Sequence, residues 1–143
     1  MHIEGRLSGI QKQAMNFFAE KLFSPQLRRN ITVRVIFRKT LKDAYGFAQV
    51  ESYNVQGRPR YFIVEVNANL DIEQKLQTLA HEMVHVKQYA YGELNEEMTL
   101  WRGKVVDSDK IPYVEHPWEI EANNKGDRLY RGFRNGNVRQ HSV

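Results

Sequence analysis

His81-Glu82-Met83-Val84-His85 sets two imidazoles four residues apart, with a carboxylate beside the first. On a helix this spacing stacks both rings on one face, where one cation can meet both. Glu82 then lies about a quarter-turn round, next to the open coordination position, where a carboxylate can take the proton of a water. The chain has no cysteine, which excludes thiolate metal sites, disulfide frameworks and thiol nucleophiles. A third ligand must come from His, Asp or Glu, and His116, Glu119 and Glu121 are the candidates downstream. Turning the helix that starts at Pro117 through about 100° per residue separates them. Trp118, Ala122, Gly126, Leu129 and Phe133 form a buried face, with Glu119 at its edge and Asn123 one turn below. Glu121 points the other way, beside Lys125 and Arg128, where an i,i+4 salt bridge is its expected use. Glu119 is therefore the expected third ligand, and Asn123 is placed to hydrogen-bond a ligating group. His116, at the helix cap, is the second candidate.

The elements that must position these groups follow from periodicity. Ile10, Ala14, Phe17, Phe18 and Leu22 predict an amphipathic helix from about Ser8 to Leu22, capped by Ser8 and ended by Pro25. Ile31–Arg38, Ala44–Tyr53 and Arg60–Ala68 read as three strands. With turn chemistry at Asn54–Gly57, an antiparallel meander is the economical arrangement. The motif helix is expected from Asp71 to Tyr91, with Asp71 and Gln74 as a capping box and Gly92 as its stop. Ile72, Leu76, Leu79, Met83, Val86 and Ala90 form its sheet-facing side, and His81 and His85 fall on the opposite one with Gln74, Thr78 and Gln88. Trp101, Arg102 and Lys104 suggest a packed hairpin or a wall of the cleft. The last helix is expected from Pro117 to near Gly132.

Composition agrees with one compact α+β domain over residues 7–133, followed by a flexible basic tail over 134–143. Of 143 residues, 41% are hydrophobic, and the net charge of +4 is mild. No stretch approaches the roughly 20 apolar residues of a membrane span, so no membrane partner and a cytoplasmic setting are expected. Ile3-Glu4-Gly5-Arg6 matches the site cut by a common tag-removal protease. Residues 1–6 can thus be a tag remnant and are set aside from the fold reading. Leu27–Lys42 carries Arg28, Arg29, Arg34, Arg38, Lys39 and Lys42 with no acid. Such a run is ordinarily solvated surface, and otherwise a patch for nucleic acid.

His81-Glu-x-x-His85 followed by Glu119-Ile-Glu-Ala-Asn123 resembles the zincin metallopeptidases with a glutamate ligand, the gluzincins. Leu79-Ala-His-Glu-Met-Val-His85 is similar to the SprT-like proteases. Trp101-Arg-Gly-Lys104 with Pro117-Trp-Glu119 resembles small SprT-like proteins of bacteria and phages. In this chain Glu119 stands in for the third histidine common in SprT-type proteins, and Asn123 for the Asp of many gluzincins. The likeness runs from Leu79 to Asn123, about a third of the chain. It implies a zincin-like minimal metalloprotease domain: an N-terminal helix, a mainly antiparallel three-stranded sheet, the HExxH helix and a C-terminal ligand helix.

Function follows as an expectation. Two imidazoles and one carboxylate favour Zn²⁺ with an open fourth position, held by His81, His85 and Glu119. Glu82 would be the general base for peptide-bond hydrolysis in an intracellular protein or peptide. An oxyanion donor is also needed. Tyr113 is the first choice, with His116, Tyr89 and Tyr91 also near the helix ends. By analogy with zincins, Arg60–Ala68 is the strand edge expected to take an extended substrate. Two alternatives stand beside this one: a DNA-associated SprT-like protease using the basic patch, and a zinc-containing binding module without catalysis.

Overall fold

The computed structural model describes residues 1–41 and 44–141, and side chains other than those of residues 137–141. Lys42, part of the expected basic run, lies outside the described residues. Strand β1 (His2–Glu4) leads to helix α1 (Gly9–Leu22), a short helix α2 (Pro25–Arg29) and strands β2 (Thr32–Arg38), β3 (Gly46–Tyr53) and β4 (Pro59–Asn67). Helix α3 (Ile72–Ala90), a small hairpin of β5 (Leu100–Trp101) and β6 (Lys104–Val105), and helix α4 (Pro117–His141) complete the chain.

The helix starts follow their local chemistry. Ser8 and Gln11 form a capping box on α1, and Asp71 and Gln74 form one on α3, each meeting backbone N–H groups that have no partner within the helix. Pro25 ends α1 as expected but also opens α2, at whose N-terminus Ser24 accepts from the Leu27 N–H. Gly92 takes φ +71° just beyond α3.

The sheet differs from a meander. Its order is β1-β2-β4-β3, with β1/β2 and β2/β4 parallel and β3/β4 antiparallel. The most apolar strand takes an inner place: Phe62, Val64 and Val66 of β4 are buried under the helices, while β3, exposed at alternate positions, is left at the edge. Residues 1–6 are part of this architecture. Ile3 packs against the core. Gly5, at φ +120°, passes so close to β2 that a Cβ there would lie 2.2 Å from the Val35 carbonyl oxygen.

Helix α3 packs on β3 and β4, α1 and α4 pack against α3 and each other, and Phe17, Phe18 and Phe133 join α1 to α4 with ring centroids 5.7–6.2 Å apart. Helix α4 continues to His141, past its expected end near Gly132. Gly132 is not a stop here, because it sits mid-helix against the Phe17 ring, and the turns around it are tied down. Phe133 is buried, and Tyr130 and Arg134 both hydrogen-bond Glu73 of α3. The hairpin reading of Trp101–Lys104 holds: Arg102 (φ +50°) and Gly103 (φ +82°) form its turn. Trp101 packs on Trp118 at 6.2 Å. Among the described residues no helix is long and apolar enough to cross a membrane.

Candidate metal centre

Helix α3 is buried on two sides. Leu76, Leu79, Met83 and Val86 face the core as expected, while Ile72, at the first helical position, is 65% exposed. The opposite, polar face is also covered. His85 and Gln88 are buried there because α4 packs across it, and Thr78 because the start of β3 lies against it at Gly46. Gly126 makes this approach close: a Cβ at that position would lie 3.0 Å from the His81 Cα. Seven residues upstream on the same helix, Glu119 is carried to the two histidines.

One donor atom from each of His81, His85 and Glu119 lies within 4.8 Å of the other two. Nε2 of His81 is 3.1 Å from Glu119 Oε1, and Nε2 of His85 is 2.9 Å from Oε2. The imidazoles stand 5.0 Å apart at 76°. Two ligand arms of about 2.1 Å at a tetrahedral angle span roughly 3.4 Å, so the observed spacings suit one small cation. The chemistry of the donor set agrees. A neutral imidazole nitrogen and a carboxylate oxygen facing each other are both acceptors, and only a proton or a cation between them makes the arrangement favourable.

Without a metal, protons fill that role. For His85, burial would lower the pKa, but the hydrogen bond to Glu119, the nearby Glu82 carboxylate and the bond to Gln88 raise it above the ordinary value. For Glu119, burial would raise the pKa, but the two histidines pull it far below the usual carboxylate range.

Beside the triad a cavity of about 550 Å³ opens between α3, the start of β3 and the segment before α4. His81, Glu82 and Glu119 line its inner side, and Tyr45, Phe47 and Tyr113 are among its outer walls. Glu82 is buried, and that burial raises its pKa against the opposing pull of the two histidines. Gly46 lets β3 close over this wall, since a Cβ there would meet the Glu65 carbonyl at 2.5 Å and Thr78 Cγ2 at 2.8 Å. Asn67 holds the adjoining segment by donating from Nδ2 to the Ala44 carbonyl at 3.0 Å.

The other candidates sort clearly. Tyr113 remains 65% exposed and shares the cavity wall with Glu119. Partial burial and that carboxylate raise its pKa. Tyr89 is buried inside, pushed up to about 12 by burial and then by Glu82 and Glu119. Tyr91 is remote, accepting from the Ser24 N–H at 3.0 Å. His116 is not in the triad: its Nε2 is 3.0 Å from both the Ser108 and Ile111 carbonyls, tying down the loop before α4.

Two expectations are corrected. Asn123 is an exposed residue of the cavity wall, and the group that hydrogen-bonds a triad histidine is Gln88, whose Oε1 is 2.8 Å from His85 Nδ1. Glu121 is paired not along its own helix but across to Lys87 at 3.4 Å and to Arg102 of the hairpin. Gln88 was legible only as a polar residue on the histidine face, because nothing local shows that α4 will bury it.

The fold and site thus define an α+β domain with a His-His-Glu group able to hold a metal ion. No protein-family model, curated protein or solved structure gives a significant match to the chain.

Proposed function

We propose that this protein is a zinc-dependent metallopeptidase of the zincin kind, hydrolysing peptide bonds of an intracellular protein substrate. The observation that carries this reading is the convergence of His81, His85 and Glu119 on one point, with buried Glu82 facing the same cavity. A zinc ion held by those three residues would polarise a carbonyl and acidify a water. Glu82 serves as the general base, its raised pKa suiting it to accept a proton and hand it to the leaving amine. Tyr113, on the wall of the same cavity, would donate to the oxygen on which charge develops.

The substrate-binding strand differs from the sequence-based expectation. Arg60–Ala68 corresponds to β4, an inner strand hydrogen-bonded on both sides, and cannot take another. Of the two edge strands, β1 and β3, it is β3 whose first residues Gly46 and Phe47 line the cavity. An extended peptide added to β3 would pass Glu82, Tyr113 and the triad.

The test is cleavage of casein or a peptide library by zinc-loaded protein. Cleavage abolished by a chelator, and reduced about 10²–10⁴-fold by Glu82→Gln with zinc still bound, is the expected result. Bound zinc without hydrolysis would leave a binding module instead.

A second reading, a DNA-associated protease, draws on a groove at the other end of α3. Arg58 and Arg60 line it, with no carboxylate among its lining residues. Of the basic run, Arg34 and Arg38 are neutralised by Glu51 and Glu65 at 2.9 Å. DNA binding that falls with salt and with Arg28→Ala, Arg29→Ala and Arg58→Ala would favour this reading.

A further inference from the structure

Gln88 lies three residues beyond His85 and is completely buried. A side-chain amide has one acceptor oxygen and one donor nitrogen, and the neighbours of Gln88 leave no choice of orientation. Its Nε2 faces the Trp118 carbonyl at 3.0 Å and Glu121 Oε1 at 3.2 Å. Both are acceptors, so Nε2 must be the donor there. Oε1 is then the atom 2.8 Å from His85 Nδ1, and that nitrogen must carry a proton. The remaining nitrogen, Nε2, is the one directed at Glu119. The chain of constraint runs further: Glu121 is held by Lys87 and by Arg102 of the β5–β6 hairpin, and Glu93 binds the same two cations at 2.6 and 3.3 Å.

We propose that Gln88 is a positioning residue of the metal centre, which fixes His85 as the Nδ1–H tautomer and so presents Nε2 to the cation, with Glu121 and the β5–β6 hairpin locking the amide in place. This rests on the metal-centre reading above. It gives a use to the buried amide and to the ionic cluster behind it, none of which lines the catalytic cavity. Partners of this kind orient a ligating imidazole and raise its basicity, and their loss typically lowers metal affinity about 10–100-fold.

The test measures Zn²⁺ affinity by competition with a chromophoric chelator, and the visible spectrum of the Co²⁺-loaded protein. Gln88→Met, close in volume but without the acceptor, should bind Zn²⁺ about 10–100-fold more weakly and shift the Co²⁺ bands. The paired change Gln88→Glu with Glu121→Gln keeps an acceptor facing Nδ1 and a donor–acceptor contact with residue 121, but sets a carboxylate oxygen against the Trp118 carbonyl. It should therefore recover part of the Zn²⁺ affinity that Gln88→Met loses while being less stable than wild type. Should Gln88→Met fail to fold, ¹⁵N-imidazole NMR of the zinc-loaded wild type decides: His85 must show a protonated Nδ1 and a ligated Nε2. Ligation through Nδ1, or a folded Gln88→Met with wild-type affinity and spectrum, overturns the role of Gln88 while leaving the metal centre standing. A wild-type protein that takes up no zinc overturns the metal centre itself.

Discussion

Gly126 of α4 lies directly against His81 of α3, where a methyl group would fit only if one helix gave by a few tenths of an ångström: an added Cβ would sit 3.0 Å from His81 Cα and 3.2 Å from its backbone nitrogen. The contact is backbone to backbone, so no side chain can swing aside. The ligand geometry depends on it, because Glu119 and Gly126 share a helix and His81 is the residue each of them meets.

Enlarging Gly126 should therefore weaken stability and metal uptake together. Gly126→Ala gains about 1 kcal/mol of helix propensity, which offsets part of an overpacking cost of about 1–3 kcal/mol. Gly126→Val has no such offset and should be the worse of the two. Denaturant unfolding of the metal-free protein and Zn²⁺ competition check both effects. Unchanged affinity in Gly126→Val would disconnect the crossing from the site.

Stability of the chelator-treated protein should peak in mildly acidic solution. Glu119 is depressed by the two histidines, so its contribution is complete above the ordinary carboxylate value of 4.5 and is lost as pH falls through its lower folded value. His85 is raised by Glu119, Glu82 and Gln88 against the effect of burial. Its contribution is complete below the ordinary 6.5 and is lost as pH rises through its higher folded value. Thermal unfolding across this range should show a maximum at about pH 4.5–6.5. Zinc should stabilise most above it, where it no longer competes with protons. A flat profile for the metal-free protein would contradict the pairing.

Gly46→Val tests the edge strand. The new side chain meets the Glu65 carbonyl and Thr78, and Glu82 Cγ lies 3.5 Å from the same point. Strand β3 must move away from the cavity, at about 1–3 kcal/mol. Peptide cleavage should drop through a raised KM more than Zn²⁺ affinity changes. Equal losses in both would indicate general unfolding.

Arg134→Ala should matter little by comparison. Arg134 and Tyr130 share Glu73 near the start of α3, but the pair is partly exposed and should contribute about 0–1 kcal/mol. A loss above about 2 kcal/mol in denaturant unfolding would mean that the last turns of α4 depend on this contact more than surface ion pairs generally allow.

Much of the site could be read from the order of residues alone. The four-residue spacing of His81 and His85, the capping box at Asp71 and the rotation that chose Glu119 over Glu121 are helix properties. They are set by neighbours one turn apart, and packing did not alter them. The buried face of Trp118, Ala122, Gly126, Leu129 and Phe133 and the hairpin at Arg102–Gly103 were legible for the same reason.

Other features came only from contacts between segments far apart in the chain. Alternation marks β3 and β4 as strands but does not say which will lie at the edge, and the parallel match of β2 with β4 left β3 outside. Gly5, inside a segment set aside on sequence grounds, has its place decided by the Val35 carbonyl. Gln88 becomes a partner of His85 only once α4 shuts water out, for a solvated amide would bond to water instead. Local spacing thus determined which atoms can bind a cation. Tertiary packing decided which of them are dry, which are held in one orientation, and on which side of them the cavity opens.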